Sequence, residues 1–151
     1  MDSIPFTKVG YENLKKEQQE LLVKRKETVV SLRKAREMGD LSENGYYKAA
    51  KFELGNIDRR LRRLEEYIRY GKIIEVSTKN TIDIGCIVTL HDGATEKTYA
   101  IVGKYESNPL EGKLSYASPL GRTLMNKKAG DKVVVHAPSG NVEYTIVKIG
   151  K

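Results

Sequence analysis

The chain has 151 residues, 39% hydrophobic and 31% charged. That suits one ordinary domain, or two small units if one of them is an elongated helical pair. The net charge of +7 and pI of about 9.4 favour a polyanionic partner, either nucleic acid or an acidic protein face.

The N-terminus, "MDSIPFTKVG", lacks the basic-then-apolar order of a leader. No stretch approaches the ~18 apolar residues of a membrane span. We expect a soluble, cytoplasmic protein that meets no membrane.

Residues 11–70 contain no proline and only Gly39, Gly45 and Gly55 as glycines. Tyr47, Ala50, Leu54, Ile57, Leu61, Leu64 and Ile68 follow one another at intervals of 3, 4, 3, 4, 3 and 4. That is the seam of a coiled coil. Upstream, Tyr11, Leu14, Leu21, Leu32 and Ala35 fit a matching stripe. Gln18, Arg25 and Thr28 interrupt it, and Leu22 and Val29 can cover the gaps. The pattern predicts helices over 10–38 and 42–70. The connection between them is short enough to make them antiparallel. Each helix would be roughly 40 Å long.

The connection, "REMGDLSEN", has two readings. In the local one, Gly39 ends the first helix in a left-handed conformation. Asp40 then caps the second, with Glu43 at capping-box spacing. In the functional one, Asp40 and Glu43 are two carboxylates at the end of the helical pair. Mg²⁺ is held by one or two carboxylates plus waters and phosphates. The pair would therefore complete a metal site that a partner supplies in part. Lys34, Arg36, Lys48 and Lys51 lie close behind, either as solvated charges or as phosphate contacts. Arg59, Arg60, Arg62 and Arg63 fall outside the seam. They are either a solvated face paired with Glu65 and Glu66 or an electrostatic track for RNA or protein.

After Gly71, short β-branched runs alternate with turn residues. Strands are predicted at 72–76, 85–90, 97–103, 131–137 and 142–149. "PSGN" joins the last two as a hairpin. Ser118 and Pro119 start a short helix carrying Leu120, Leu124 and the stem of Lys128 on one face, with Gly130 ending it. Cys86, the one cysteine, lies in an apolar run and reads as a buried strand residue. His91 and His136 have no metal-ligand spacing. No Gly-rich phosphate loop, GxSxG or HExxH motif is present. The result is an α+β chain. Residues 1–74 form an antiparallel coiled coil with its acidic tip at 39–44. Residues 75–151 form a small unit with a curved antiparallel sheet and one short helix.

Several segments resemble the bacterial Gre transcript-cleavage factors. They are "AREMGDLSENGYYKAAK" (35–51), "IDRRLRRLEEYI" (57–68), "IVGKYE" (101–106) and "SYASPLGRTLMNKKAGDKVVVHAPSG" (115–140). "GDLSEN" and "SPLG" are closer to the GreA side of the family, and the arginine run is closer to GreB. The resemblance implies an FKBP-like second domain that docks on RNA polymerase, and a coiled coil that enters the polymerase secondary channel. It also implies that the chain is no enzyme by itself. The factor would stimulate the polymerase's own cleavage of the backtracked RNA 3′ end. By position, Asp40 would help hold a Mg²⁺ shared with the polymerase, with no metal held tightly by the free protein. Glu43 would orient or deprotonate the attacking water. Arg36 and Lys51 would contact the extruded RNA, while Gly39, Ser42, Asn44 and Tyr47 would shape the tip.

The family usually has Ala and an acidic residue where this chain has Gly45 and Tyr46. A second expectation is therefore a channel-binding regulator or inhibitor that does not stimulate cleavage. A third, from the implied fold alone, is a prolyl isomerase or peptide-binding module. The chain is expected to act as a monomer.

Overall fold

The computed structural model describes residues 3–39, 44–76 and 80–150. In chain order, β1 is Ile4–Phe6, α1 Lys8–Arg36, α2 Gly45–Tyr70, β2 Gly71–Ile73, β3 Ile87–His91 and β4 Glu96–Val102. β5 is Lys113–Ser115, α3 Pro119–Leu124, β6 Lys132–Ala137 and β7 Gly140–Gly150. Two compact units result. One is Glu12–Gly71, and the other takes the residues through Tyr11 together with those from Lys72 onward.

In the first unit the heptad positions of α2 are covered, and Tyr67 beside them is buried as well. Ala50, Ile57 and Leu64 are buried, and Tyr47, Leu54, Leu61 and Ile68 are half-buried. α1 keeps the same period through its polar positions. Leu14, Thr28 and Ala35 are buried, while Gln18, Leu21, Arg25 and Leu32 are half-buried between them. Leu22 does not fill the gap as expected and is 41% exposed. The interrupting residues satisfy themselves instead. Thr28 Oγ1 donates to Lys24 O at 2.9 Å, and Arg25 Nε meets Asp58 Oδ1 at 2.6 Å.

Arg60 reaches Glu17 with two bonds, at 2.6 and 3.0 Å. This pairing replaces the expected partners Glu65 and Glu66. Donation to the Glu17 carboxylate raises the Arg60 guanidinium above its ordinary value. Lys24 meets Glu53 at 3.4 Å. Glu17, early in α1, meets Arg60, while Lys24 and Arg25, later in α1, meet Glu53 and Asp58, earlier in α2, which is the signature of an antiparallel pair. Such solvent-exposed ion pairs are screened and add little to stability.

The second unit is built on a five-stranded sheet in the order β5-β4-β3-β7-β6. β3–β4, β3–β7 and β6–β7 are antiparallel. β4–β5 is parallel, so the sheet is mixed rather than wholly antiparallel. β5 and β1 were not anticipated, because three-residue strands carry too little alternation to be read. β1 pairs with β2 in a separate two-stranded sheet.

A bulge between Thr89 and Leu90 pairs Thr89 with Lys148 and Leu90 with Ile146. Strict alternation would send Ile146 and Ile149 to opposite faces. The extra residue lets both pack on the core, leaving Val147 and Lys148 outside. That core is Ile82, Cys86, Val88, Leu90, Ile101, Leu124, Val133 and Ile146.

α3 starts as expected. Ser118 Oγ accepts from Gly121 N at 3.0 Å and donates to Ser115 O at 2.7 Å. A Cβ on Gly121 would overlap the Ser115 carbonyl, so glycine allows α3 to lie against β5. The helix stops at Leu124, short of Gly130. Asn126 turns left-handed at φ 68°, and residues 126–127 bond instead to Ile82. Lys128 is therefore not on the helix face. Its N–H bonds to the Asp131 carboxylate at 2.8 Å.

Candidate functional site at the hairpin tip

α1 closes in a tightened turn. Met38 N bonds to Ala35 O at 3.1 Å, and Gly39 takes φ 116°. Nothing lies within 4 Å of a Cβ placed there, so backbone conformation rather than space asks for glycine.

α2 begins at Gly45, and its cap is Asn44. Asn44 Oδ1 accepts from Tyr47 N at 3.0 Å, satisfying one of the orphan donors of the first turn. Its Nδ2 donates to Ala35 O at 2.6 Å, satisfying a carbonyl at the end of α1. One side chain thus ties the end of one helix to the start of the next. This corrects the expectation that Asp40 caps α2 from a helix beginning at 42. Asp40, Ser42 and Glu43 themselves lie outside the described residues, so their placement is not described.

Arg36 and Tyr47 are brought together, with the guanidinium carbon 5.8 Å from the ring centroid. The ring is half-buried on the seam and the cation is exposed, which is the geometry of a cation–π contact. Lys51 stands exposed one turn further along α2 and takes no part in that contact. Lys34 and Lys48 are exposed as well. Tyr46 lies off the heptad, is exposed, and borders a groove with Lys34, Met38 and Ala49. The sequence reading gave it no such role, and only its position outside the heptad could have signalled it.

Among the described residues, no group of three or more His, Cys, Asp or Glu side chains could hold a metal ion. Asp40 and Glu43, the expected donors, lie outside the residues to which this applies. Two carboxylates suit Mg²⁺ only when other oxygens complete the shell. No helix of the described residues is long and apolar enough to cross a membrane.

A family model for the N-terminal domain of transcription elongation factors matches residues 4–73. A model for the C-terminal domain of transcription elongation factors GreA and GreB matches residues 77–151. The chain belongs to the GreA/GreB family of transcription elongation factors. The transcription elongation factor GreA of Maridesulfovibrio salexigens is 39% identical over 153 residues, covering 99% of this chain and 96% of that protein. The GreA of Geobacillus kaustophilus is 43% identical over 151 residues, covering 96% and 95%. The solved structure of GreA factor homolog 1 from Thermus thermophilus aligns over 99% of both chains at 28% identity, with a TM-score of 0.47. Subtype follows the GreA relatives, as "GDLSEN" and "SPLG" implied.

A second constellation went unread in the sequence. Thr7 Oγ1 accepts from Gly10 N at 3.1 Å, capping the start of α1. A capping box would place Glu at position 10. The carboxylate comes instead from Glu106, which accepts from Thr7 N at 2.9 Å, from Thr7 Oγ1, and from Gly103 N at 2.8 Å. A Cβ on Gly10 would occupy the space of that carboxylate. "TKVG" carried half of this signal, and the other half lies 99 residues away.

Proposed function

We propose that this factor acts on RNA polymerase as a GreA does: its hairpin enters the secondary channel and its tip stimulates hydrolysis of the backtracked RNA 3′ end. The observation that carries this reading is the cap at Asn44. With α2 capped from residue 44, the local explanation for Asp40 and Glu43 loses its main claim. Full-length likeness to GreA proteins supports the same reading.

In it, Asp40 holds a Mg²⁺ shared with the polymerase. Bound there, the ion supplies charge stabilisation at the phosphate and activation of water. Glu43 orients the attacking water and accepts its proton. Arg36, held by Tyr47, and Lys51 offset phosphate charge on the extruded RNA. Gly39, Ser42 and Asn44 set the shape of the turn. The chain is then no enzyme alone, works as a cytoplasmic monomer, and leaves the chemistry to the polymerase active site.

The test is release of short 3′ RNA fragments from backtracked polymerase in Mg²⁺. The wild-type protein stimulates it. Asp40→Ala and Glu43→Ala each lower it by about 10²-fold or more, the scale of a lost acid–base or metal-holding group, with polymerase binding retained. Unchanged cleavage by Asp40→Ala would sink the metal role. Binding with slowed elongation and no cleavage by the wild type would select the channel-binding regulator instead.

A further inference from the structure

Tyr46 is 73% exposed and Met38 is 66% exposed, yet both border one groove of about 410 Å³ on the hairpin. Neither packing nor propensity accounts for the tyrosine. The seam runs through Tyr47 and Ala50, so position 46 lies off the heptad. Aromatic residues are also poorer helix formers than Ala or Glu in an exposed first turn.

The groove beside the ring is floored by small residues, Ala35, Ala49 and Ala50. The acidic residue of the lining, Glu53, is already paired with Lys24 at 3.4 Å. Among the described residues of the lining, Lys34 is thereby left as the uncompensated charge of the groove.

An exposed aromatic face and a thioether beside a cation, Lys34, is an arrangement that takes unpaired bases of single strands. The base stacks, sequence-tolerantly, and its phosphate meets the cation. We propose that Tyr46 and this groove hold an unpaired nucleobase of single-stranded RNA, with the base on the tyrosine ring and its phosphate at Lys34. This rests on the reading that the tip meets extruded RNA, and it adds a stacking site to the cationic contacts of Arg36 and Lys51.

The experiment uses the full-length protein and its Tyr46→Ala and Tyr46→Phe variants. Each is bound to polymerase complexes backtracked on RNA carrying 2-aminopurine at its 3′ end, and to matched complexes that are not backtracked. Stacking quenches 2-aminopurine fluorescence. Wild type and Tyr46→Phe are expected to quench it in backtracked complexes, and Tyr46→Ala to lose the quench, with equal binding of all three to the matched complexes. Quenching by Tyr46→Ala equal to wild type overturns the proposal. So does loss of the quench in Tyr46→Phe, which would assign the effect to the hydroxyl. Weaker binding of Tyr46→Ala to the complexes that are not backtracked would place the ring against protein, and overturns it too. Cleavage by the wild type is read in the same samples. Cleavage without quenching sinks the base site alone, whereas absence of both binding and cleavage sinks it together with the function it rests on.

Discussion

Asn44 carries two hydrogen bonds that no other residue type of its length can make together. Its Oδ1 accepts from Tyr47 N and its Nδ2 donates to Ala35 O. Asp keeps the first and loses the second, because an ionised carboxylate has no donor. Asn44→Ala should cost ~0.5–2 kcal/mol from the lost cap alone, and more if the Ala35 carbonyl finds no water. Asn44→Asp should fall between it and wild type. Urea unfolding followed by helical circular dichroism checks the order. Equal stability of the Asp variant and the wild type would show that the bond to Ala35 contributes nothing.

Elements here are ended and joined by local chemistry as much as by pattern. Asp92 lies in the turn between β3 and β4, where its Oδ1 accepts from Thr95 N at 2.8 Å and Ala94 N at 2.9 Å. Those two bonds, Thr95 first, hold its carboxyl below the ordinary value. A depressed carboxyl contributes its stability above the unfolded value, near 3.9 for Asp, and loses it as pH falls through the folded value. Amide exchange at Ala94 and Thr95, corrected for intrinsic rates, should therefore quicken as pH drops below about 4. Asp92→Asn should flatten that pH dependence. A pH response that survives in the Asn variant would assign the titration elsewhere.

At the scale of the whole chain, the two units are stabilised differently. The hairpin buries a narrow seam, helped by ion pairs at Glu17–Arg60, Lys24–Glu53 and Arg25–Asp58. The sheet unit has a closed core in which Leu124 is fully buried among Ile82, Val88, Ile101 and Ile146. Leu124→Ala should cost ~2–5 kcal/mol, lost contacts and a residual cavity adding together. Leu110, 98% exposed, should change stability by less than ~0.5 kcal/mol when replaced by Ala. Strand amide exchange against urea reads this unit separately from the hairpin, since two units need not unfold as one transition. Comparable losses from both substitutions would show that burial does not set the stability of the sheet unit.

The sequence by itself determined what depends on neighbours in the chain. Period fixed the helices and their seam, because a 3.5-residue repeat has one way to bury its apolar side. Ser118 and Pro119 fixed the start of α3, and "PSGN" the last hairpin, because caps and turns are closed by residues a few positions apart. The short tip with two carboxylates and cations behind it was legible for the same reason. Tertiary structure decided what depends on distant partners. β5 became a strand by pairing parallel to β4, and α3 ended early because residues 126–127 bond to Ile82. Arg60 chose Glu17 over its own helix, and Glu106 completed the cap of α1 from across the sequence. The cap of α2 passed from Asp40 to Asn44 because only an amide can serve the end of one helix and the start of the next at once.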